Sequence, residues 1–258
     1  MTSQQQYVSP YLTHFVGRRL DGDESKYACL VDIIRSSKLI APGLSSLELG
    51  SLEVGGPKGW IVKTTRTVNF RTPLSGNERY VSSAVCFCDI PEEDIWLHAE
   101  KYSRFGLAFQ KHFLASQGAR PVWYIPRQAL VDRRLAQKPE RTSAEVFDRA
   151  ESDFCTRILG LLPKPKPGGA WNSKGDFEKW MEHHVFPFMK FFDLGRDDHD
   201  PDNFYMEREW RLVGVATFVL QDIVRVFVPP AFSKRVIADT GLTDRVVRTL
   251  SGDGTTAA

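Results

Sequence analysis

The chain has 258 residues, and its 34 Lys and Arg nearly balance its 32 Asp and Glu, which leaves a formal charge of +2. This balance argues against a strong overall attraction to nucleic acid or to an anionic membrane. The hydrophobic fraction of 42% and the charged fraction of 26% argue against a disordered chain. No stretch approaches the roughly 20 apolar residues that cross a bilayer, and the polar first six residues do not resemble a secretion signal. The sequence therefore predicts a cytoplasmic protein without a membrane partner.

The cysteine and histidine spacings predict no metal site. The four cysteines form no CxxC pair and are Cys29, Cys86, Cys88 and Cys155. The adjacent His183 and His184 point in different directions on a predicted helix, and neither HxxxH nor ExxH spacing is present with the acidic stretch at residues 197–200. We expect reduced thiols, as in a cytosolic protein.

The N-terminal half predicts short strands separated by helices. Apolar alternation and β-branched runs predict strands at residues 11–17, 84–88, 104–109 and 121–125. Helical spacing and capping residues predict helices at residues 26–38, with Ser25 as the N-cap, at 91–102, which begins at Pro91, and at 110–117.

The C-terminal half continues the same mixture. It predicts helices at residues 142–162 and 176–192, the second kinked or divided at Pro187, strands at 209–215 and 223–228, and one or two final helices. The Pro-rich stretch at 163–169 predicts a surface loop. The order lacks strict strand–helix alternation. The sequence therefore predicts an α+β fold: a single domain over residues 11–250, with a split, mainly antiparallel sheet flanked by helices, and flexible ends at residues 1–10 and 251–258.

Two glutamates at a loop-to-strand junction are the most suggestive local feature. Glu207 and Glu209 are two residues apart, so both carboxylates can face one cleft. Neighbouring carboxylates can divide acid and base roles, because their repulsion separates their pKa values. The alternative is an edge strand whose alternating charges pair across strands. No GxSxG, P-loop, HExxH or GxGxxG motif supports another enzyme class.

The Glu-x-Glu pair is similar to that of ADP-ribosyltransferases. The resemblance implies an ADP-ribosyltransferase-like sheet and NAD as cofactor. It also implies that Glu209 holds a ribose hydroxyl and steadies the oxocarbenium-like state of NAD, while Glu207 orients or deprotonates the acceptor, a nucleic acid or a protein.

The same resemblance implies three cofactor-binding residues. His14, or the nearby Arg18, would hold the NAD ribose from the first core strand. Tyr102 would stack on nicotinamide. Ser103 is a candidate for the family's middle-strand Ser-x-Ser motif, and Ser82 with Ser83 is the alternative. The alternatives remain a half-buried histidine for His14 and simple packing of helix on sheet for Tyr102.

An ordered set of segments resembles the AbiGi family of bacterial abortive-infection proteins. The segments span about residues 13–230 and are residues 13–17, 85–91, 98–109, 118–124, 204–213 and 223–229. The resemblance implies a phage-defence component of the antitoxin type that binds a toxic protein of the same system.

Three hypotheses follow. The first is a binding and regulatory protein, in which Glu207 and Glu209 serve folding or partner contact. The second is an NAD-dependent ADP-ribosyltransferase. The third is a scaffold of that fold without catalysis, since fold does not fix function.

Overall fold

The structure, a computed structural model, describes residues 9–42, 75–76, 84–128, 142, 145, 184–197, 200, 204–251 and 256–257. The chain divides into two compact units. The first comprises Met1–Ala41, Val85–Pro121 and Glu207–Ala258, and the second comprises Pro42–Ala84 and Val122–Met206. The single domain over residues 11–250 stays a prediction.

The elements are numbered in chain order within the described residues. The strands are β1 (Tyr11–Phe15), β2 (Lys38–Ile40), β3 (Ala84–Cys88), β4 (Gly106–Gln110), β5 (Arg120–Pro121), β6 (Trp123–Pro126), β7 (Met189–Phe192), β8 (Glu209–Val213), β9 (Val215–Thr217), β10 (Ile223–Val228), β11 (Val247–Leu250) and β12 (Thr256–Ala257). The α-helices are α1 (Asp23–Ser36), α2 (Ile95–Lys101), α3 (Lys111–Ser116) and α4 (Ser233–Thr240).

One sheet of eight strands organises the first unit, in the order β12-β11-β10-β4-β1-β3-β8-β5. β1 pairs antiparallel with both β3 and β4, and β4 pairs antiparallel with β10. Within this sheet, β10 and β11 form the one parallel pair among the pairings whose direction is described. The predicted α+β class with a mainly antiparallel sheet is confirmed. Strands β3 and β10 coincide with the predicted residues 84–88 and 223–228.

The centre of this sheet is covered on both faces. Four of the five residues of β4 are buried, and Leu107, Ala108 and Phe109 have no exposed surface. Such continuous burial suits a central strand, whereas a half-exposed strand would alternate. On one face, α2 packs Ile95 and Ala99 into a cluster with Cys88 and Ala108.

Helix α1 begins two residues before the predicted N-cap. The N-cap is Gly22, and Asp23 with the following glutamate occupies the first turn, where negative charge is stabilised. The prediction of Ser25 as the N-cap was wrong, because the Ser25 hydroxyl donates to the carbonyl oxygens of Asp21 and Gly22. The buried side chains follow the helical period and are Tyr27, Leu30, Val31 and Ile34.

The predicted helix at residues 176–192 does not continue to its predicted end: His184 is helical, but the chain leaves the helix at residue 185, close to the predicted break at Pro187. Residues Phe186–Phe188 form a 3-10 turn, and Met189–Phe192 form β7, which pairs parallel with β6 in the second unit. Pro187 explains the difference, since proline cannot donate a helical hydrogen bond. The residues after it pair with β6 instead. The helix at 142–162, apart from Thr142 and Glu145, and the loop at 163–169 lie outside the described residues.

Candidate functional site

Glu207 is a buried carboxylate where the end of α2 meets the start of β8. Its side chain is 8% exposed. Its Oε1 accepts a hydrogen bond from Lys101 Nζ at 2.9 Å and a short one from the hydroxyl of Tyr102. Helix α2 ends between these two donors, and the backbone N–H of Tyr102 donates to the carbonyl of His98. The helix end therefore presents a cation and a phenol to one carboxylate.

The ring of Tyr102 is held by neighbours on the same face of the sheet. Phe15 and His98 stack on it, with ring centroids 5.9 Å and 6.1 Å away, and the guanidinium of Arg18 lies 4.7 Å from its centroid. Burial raises the pKa of Tyr102 well above its ordinary value, and the carboxylate of Glu207 raises it further. The phenol is a hydrogen-bond donor at neutral pH.

A left-handed residue separates the two glutamates. Arg208 has a φ of 45°, which is uncommon for a residue other than glycine. Its carbonyl oxygen accepts a hydrogen bond from the backbone N–H of Asp89 at 3.2 Å. Asp89 is itself buried and accepts from Lys111 Nζ at 2.8 Å. This link fixes the approach of the chain into β8 against the end of β3.

Glu209 is paired with Arg211 on the same face of β8. Arg211 Nε and Nη2 lie 2.7 Å and 3.3 Å from the two carboxylate oxygens of Glu209. Arg211 is 1% exposed and Glu209 is 6% exposed. The two-residue spacing puts both side chains on one side of a strand, and the fork of the guanidinium matches a carboxylate. Glu209 is therefore held as a buried carboxylate.

His14 lies on the other face of the sheet from Tyr102. Phe15 stacks on Tyr102, and neighbouring side chains of a strand point to opposite faces. His14 Nδ1 is 2.8 Å from the carbonyl oxygen of Cys86, and its ring lies against Phe87. Burial lowers the pKa of His14, although the contact with Cys86 acts in the opposite direction.

The structure thus brings together part of the predicted site. Tyr102 and Glu207 are joined by a hydrogen bond, and Glu209 follows two residues later at the start of β8. Ser103 follows on, buried, with its hydroxyl accepting from the N–H of Phe105 at 3.1 Å. His14 stands apart from them. The catalytic and cofactor-binding roles of these residues stay predictions.

Sequence reasoning gave no role to several neighbours of the site. Lys101 and Phe15 lie within predicted elements, but neither was singled out as a site residue. The position of Lys101 at the end of a helix, where a cation is favourable, is a weak signal for it. The hydroxyl of Thr13, also on β1, is buried without a hydrogen-bond partner among the described residues. No pattern in the sequence marks that hydroxyl.

The described residues contain neither a metal cluster nor a membrane-spanning helix. Within them, no group of three or more His, Cys, Asp or Glu side chains is arranged to hold a metal ion. His183, Asp198 and His199 lie outside the described residues. No helix in the described ranges is long and apolar enough to cross a bilayer.

A family model described as "Putative abortive phage resistance protein AbiGi, antitoxin" matches residues 76–240, which is more than half of the chain. The chain therefore belongs to the AbiGi family, and the predicted family is confirmed. The matched range includes Lys101, Tyr102, Glu207 and Arg211, and it leaves His14 outside.

A curated relative supports the same assignment. The "Abortive phage resistance protein AbiGi" of Lactococcus lactis subsp. cremoris is 25% identical over 151 residues, covering 55% of this chain and 53% of the relative. The chain thus spans about half the length of that relative. No solved structure matches the chain.

Proposed function

We propose that this chain is the antitoxin-like component of an abortive phage-defence system and acts in the cytoplasm by binding a toxic protein of the same system. The observation that carries the proposal is the match of residues 76–240 to a family described as an antitoxin of abortive phage resistance. An antitoxin restrains its partner by contact, so the proposal requires binding and no turnover.

The arrangement of the two glutamates supports a role in the framework of the fold. A general base must have its carboxylate within hydrogen-bond reach of a substrate proton. Here Glu207 accepts from Lys101 and Tyr102, and Glu209 is gripped by Arg211. The contacts of Glu207 connect the start of β8 to the end of α2, and the contact of Glu209 with Arg211 lies within β8. A partner-binding protein needs that rigidity and no free carboxylate.

The experiment is to purify the chain with the toxic protein of its own defence system and measure their association by calorimetry. We expect a stable complex with a dissociation constant of about micromolar or tighter, as specific protein pairs show. Denatured chain is the matched control, because it lacks the native structure that binding requires. Two purified, folded proteins that do not associate would overturn the proposal.

An NAD-dependent ADP-ribosyltransferase is the second candidate, and the hydrogen bond between Tyr102 and Glu207, two residues before Glu209, is the observation that favours it. It would act on a nucleic acid or a protein. The test is release of nicotinamide from NAD by wild type and by Glu209→Gln, with Lys234→Gln on the surface of α4 as the matched control. Turnover by the wild type and the control, lost in Glu209→Gln, would favour this candidate. Equal rates in all three would discard it.

A further inference from the structure

A cleft of about 330 Å³ opens in the first unit beside the Glu207 site. Helix α1 forms one wall, α2 forms the opposite wall, and the end of β11 closes one side. Its principal lining residues are Lys26, Trp96, Glu100, Tyr102, Leu250 and Ser251. A volume of this size lies at the lower end of the range of small-ligand pockets.

One face of α2 supplies an aromatic platform. The lining residues Trp96, Ala99 and Glu100 are spaced as i, i+3 and i+4 on α2, which places them on a single helix face. Trp96 is partly exposed, and its indole makes no ring stack or cation contact with another described residue. An indole in a polar cleft is suited to stacking on a planar ring.

The opposite wall supplies a cation. Lys26 on α1 forms no ion pair within the described ranges, whereas the neighbouring Arg104 is engaged with Asp23 at 2.7 Å. The stem of Lys26 lies against Gly17, where a Cβ atom would come within 2.7 Å of Lys26 Cγ. Gly17 has a φ of +82° and leaves the space that this stem occupies. The first carbons of the Lys26 side chain are therefore held beside Gly17, and Lys26 itself lines the cleft.

We propose that this cleft binds a nucleoside monophosphate. The base stacks on Trp96, the phosphate meets the ammonium of Lys26, and Glu100 and Ser251 offer an acceptor and a hydroxyl to the sugar. The proposal goes beyond the binding of a toxic partner, and its failure would leave that function untouched.

The test is calorimetric titration of the full-length protein with AMP, GMP, CMP and UMP, and with the four nucleosides. We expect at least one monophosphate to bind, and its nucleoside to bind more weakly. Trp96→Leu should weaken binding about tenfold, the loss of one base–aromatic stack. The control Trp123→Leu removes an indole that is 59% exposed and does not line the cleft, and it should change nothing.

Lys26→Gln should remove the preference for the monophosphate over its nucleoside, because the ammonium recognises only the phosphate. The exposed Lys234→Gln on α4 is its control. If Trp96→Leu unfolds, Ser251→Phe provides an independent variant that fills the cleft from its rim and should abolish binding. The absence of heat with all four monophosphates at millimolar concentration would overturn the proposal, and so would binding that Ser251→Phe and Lys26→Gln leave unchanged.

Discussion

Two regions of the first unit use the same chemistry at different depths. At the end of α2, the buried carboxylate of Glu207 accepts from a tyrosine, Tyr102, and from a cation, Lys101. Near the start of that helix, Glu92 also accepts from a tyrosine, Tyr11, through a short hydrogen bond. The two clusters differ chiefly in solvent exposure, since the side chain of Glu207 is 8% exposed and that of Glu92 is 25% exposed.

The cations of the shallower cluster come from the far strands of the sheet. Arg225 on β10 and Arg248 on β11 approach the carboxylate oxygens of Glu92 at 2.9 Å and 2.8 Å. Two cations and water share that charge, so the loss of one contact is softened by solvent. Little solvent reaches the deeper cluster to replace a lost contact, and a buried charge without its partner destabilises the folded state. Burial, and not the number of contacts, should set the cost of each substitution.

The largest effect should follow from breaking the deepest pair. Arg211→Met leaves the carboxylate of Glu209 buried without its guanidinium, and we expect a loss of about 3–5 kcal/mol in the free energy of unfolding. Urea denaturation followed by circular dichroism measures it. The double variant Glu209→Leu, Arg211→Met removes both charges and should recover most of the loss. An Arg211→Met protein as stable as the wild type would contradict the assignment of this pair to the framework.

The next effect compares the two carboxylates directly. Glu207→Gln keeps the shape and removes the charge, and it should cost about 2 kcal/mol, the range of hydrogen bonds to charged groups. Glu92→Gln should cost about 1 kcal/mol, because its site is partly solvated. Both are measured by the same urea denaturation. A larger loss for Glu92→Gln than for Glu207→Gln would reverse the comparison.

A smaller effect should appear on acidification. Burial acts to raise the pKa of Glu92, but the hydrogen bonds of Tyr11 and Arg225 outweigh it, so the pKa in the folded state lies below its ordinary 4.5. The stability from this charge is therefore present above pH 4.5 and is lost as the pH falls through the folded-state pKa. We expect the difference in free energy of unfolding between wild type and Glu92→Gln to disappear as the pH falls from 4.5 through the folded-state pKa. Urea denaturation at a series of pH values measures it. A constant advantage down to pH 3 would refute the assignment.

The smallest effect concerns His14 on the opposite face. Burial lowers its pKa below the ordinary 6.5, so the neutral ring contributes stability above pH 6.5 that is lost as the pH falls through the folded-state pKa. NMR of the imidazole protons should show a titration midpoint below 6.5, and His14→Asn should remove the matching loss of stability. A midpoint at or above 6.5 would show that the ring is more exposed than the structure indicates.

Much of the sheet was predictable, because its strands are continuous apolar runs. Residues 84–88 and 223–228 gave β3 and β10 with correct ends. Strand β7 was not predictable, since its aromatic residues also fit a helix and its partner β6 lies more than sixty residues earlier in the chain. Parallel pairing over such a distance leaves no local signal.

The candidate site was predictable where its residues are close in sequence. Glu207 and Glu209 were recognised by their spacing, and Tyr102 by its place at a helix end. The side of the sheet to which His14 points was not predictable, because a shift of one residue in strand register moves every side chain of β1 to the opposite face. Glu92 was assigned only to the helix predicted at residues 91–102, since its arginine partners lie 133 and 156 residues away.

Bacterial growth tests the central claim most directly. Cells would express the toxic protein of the same defence system alone, this chain alone, or both together, and growth would be followed after induction. We expect arrest with the toxic protein alone and normal growth in the other two cultures. Arrest by this chain alone that Glu209→Gln abolishes would contradict the account and identify the chain as the toxic enzyme.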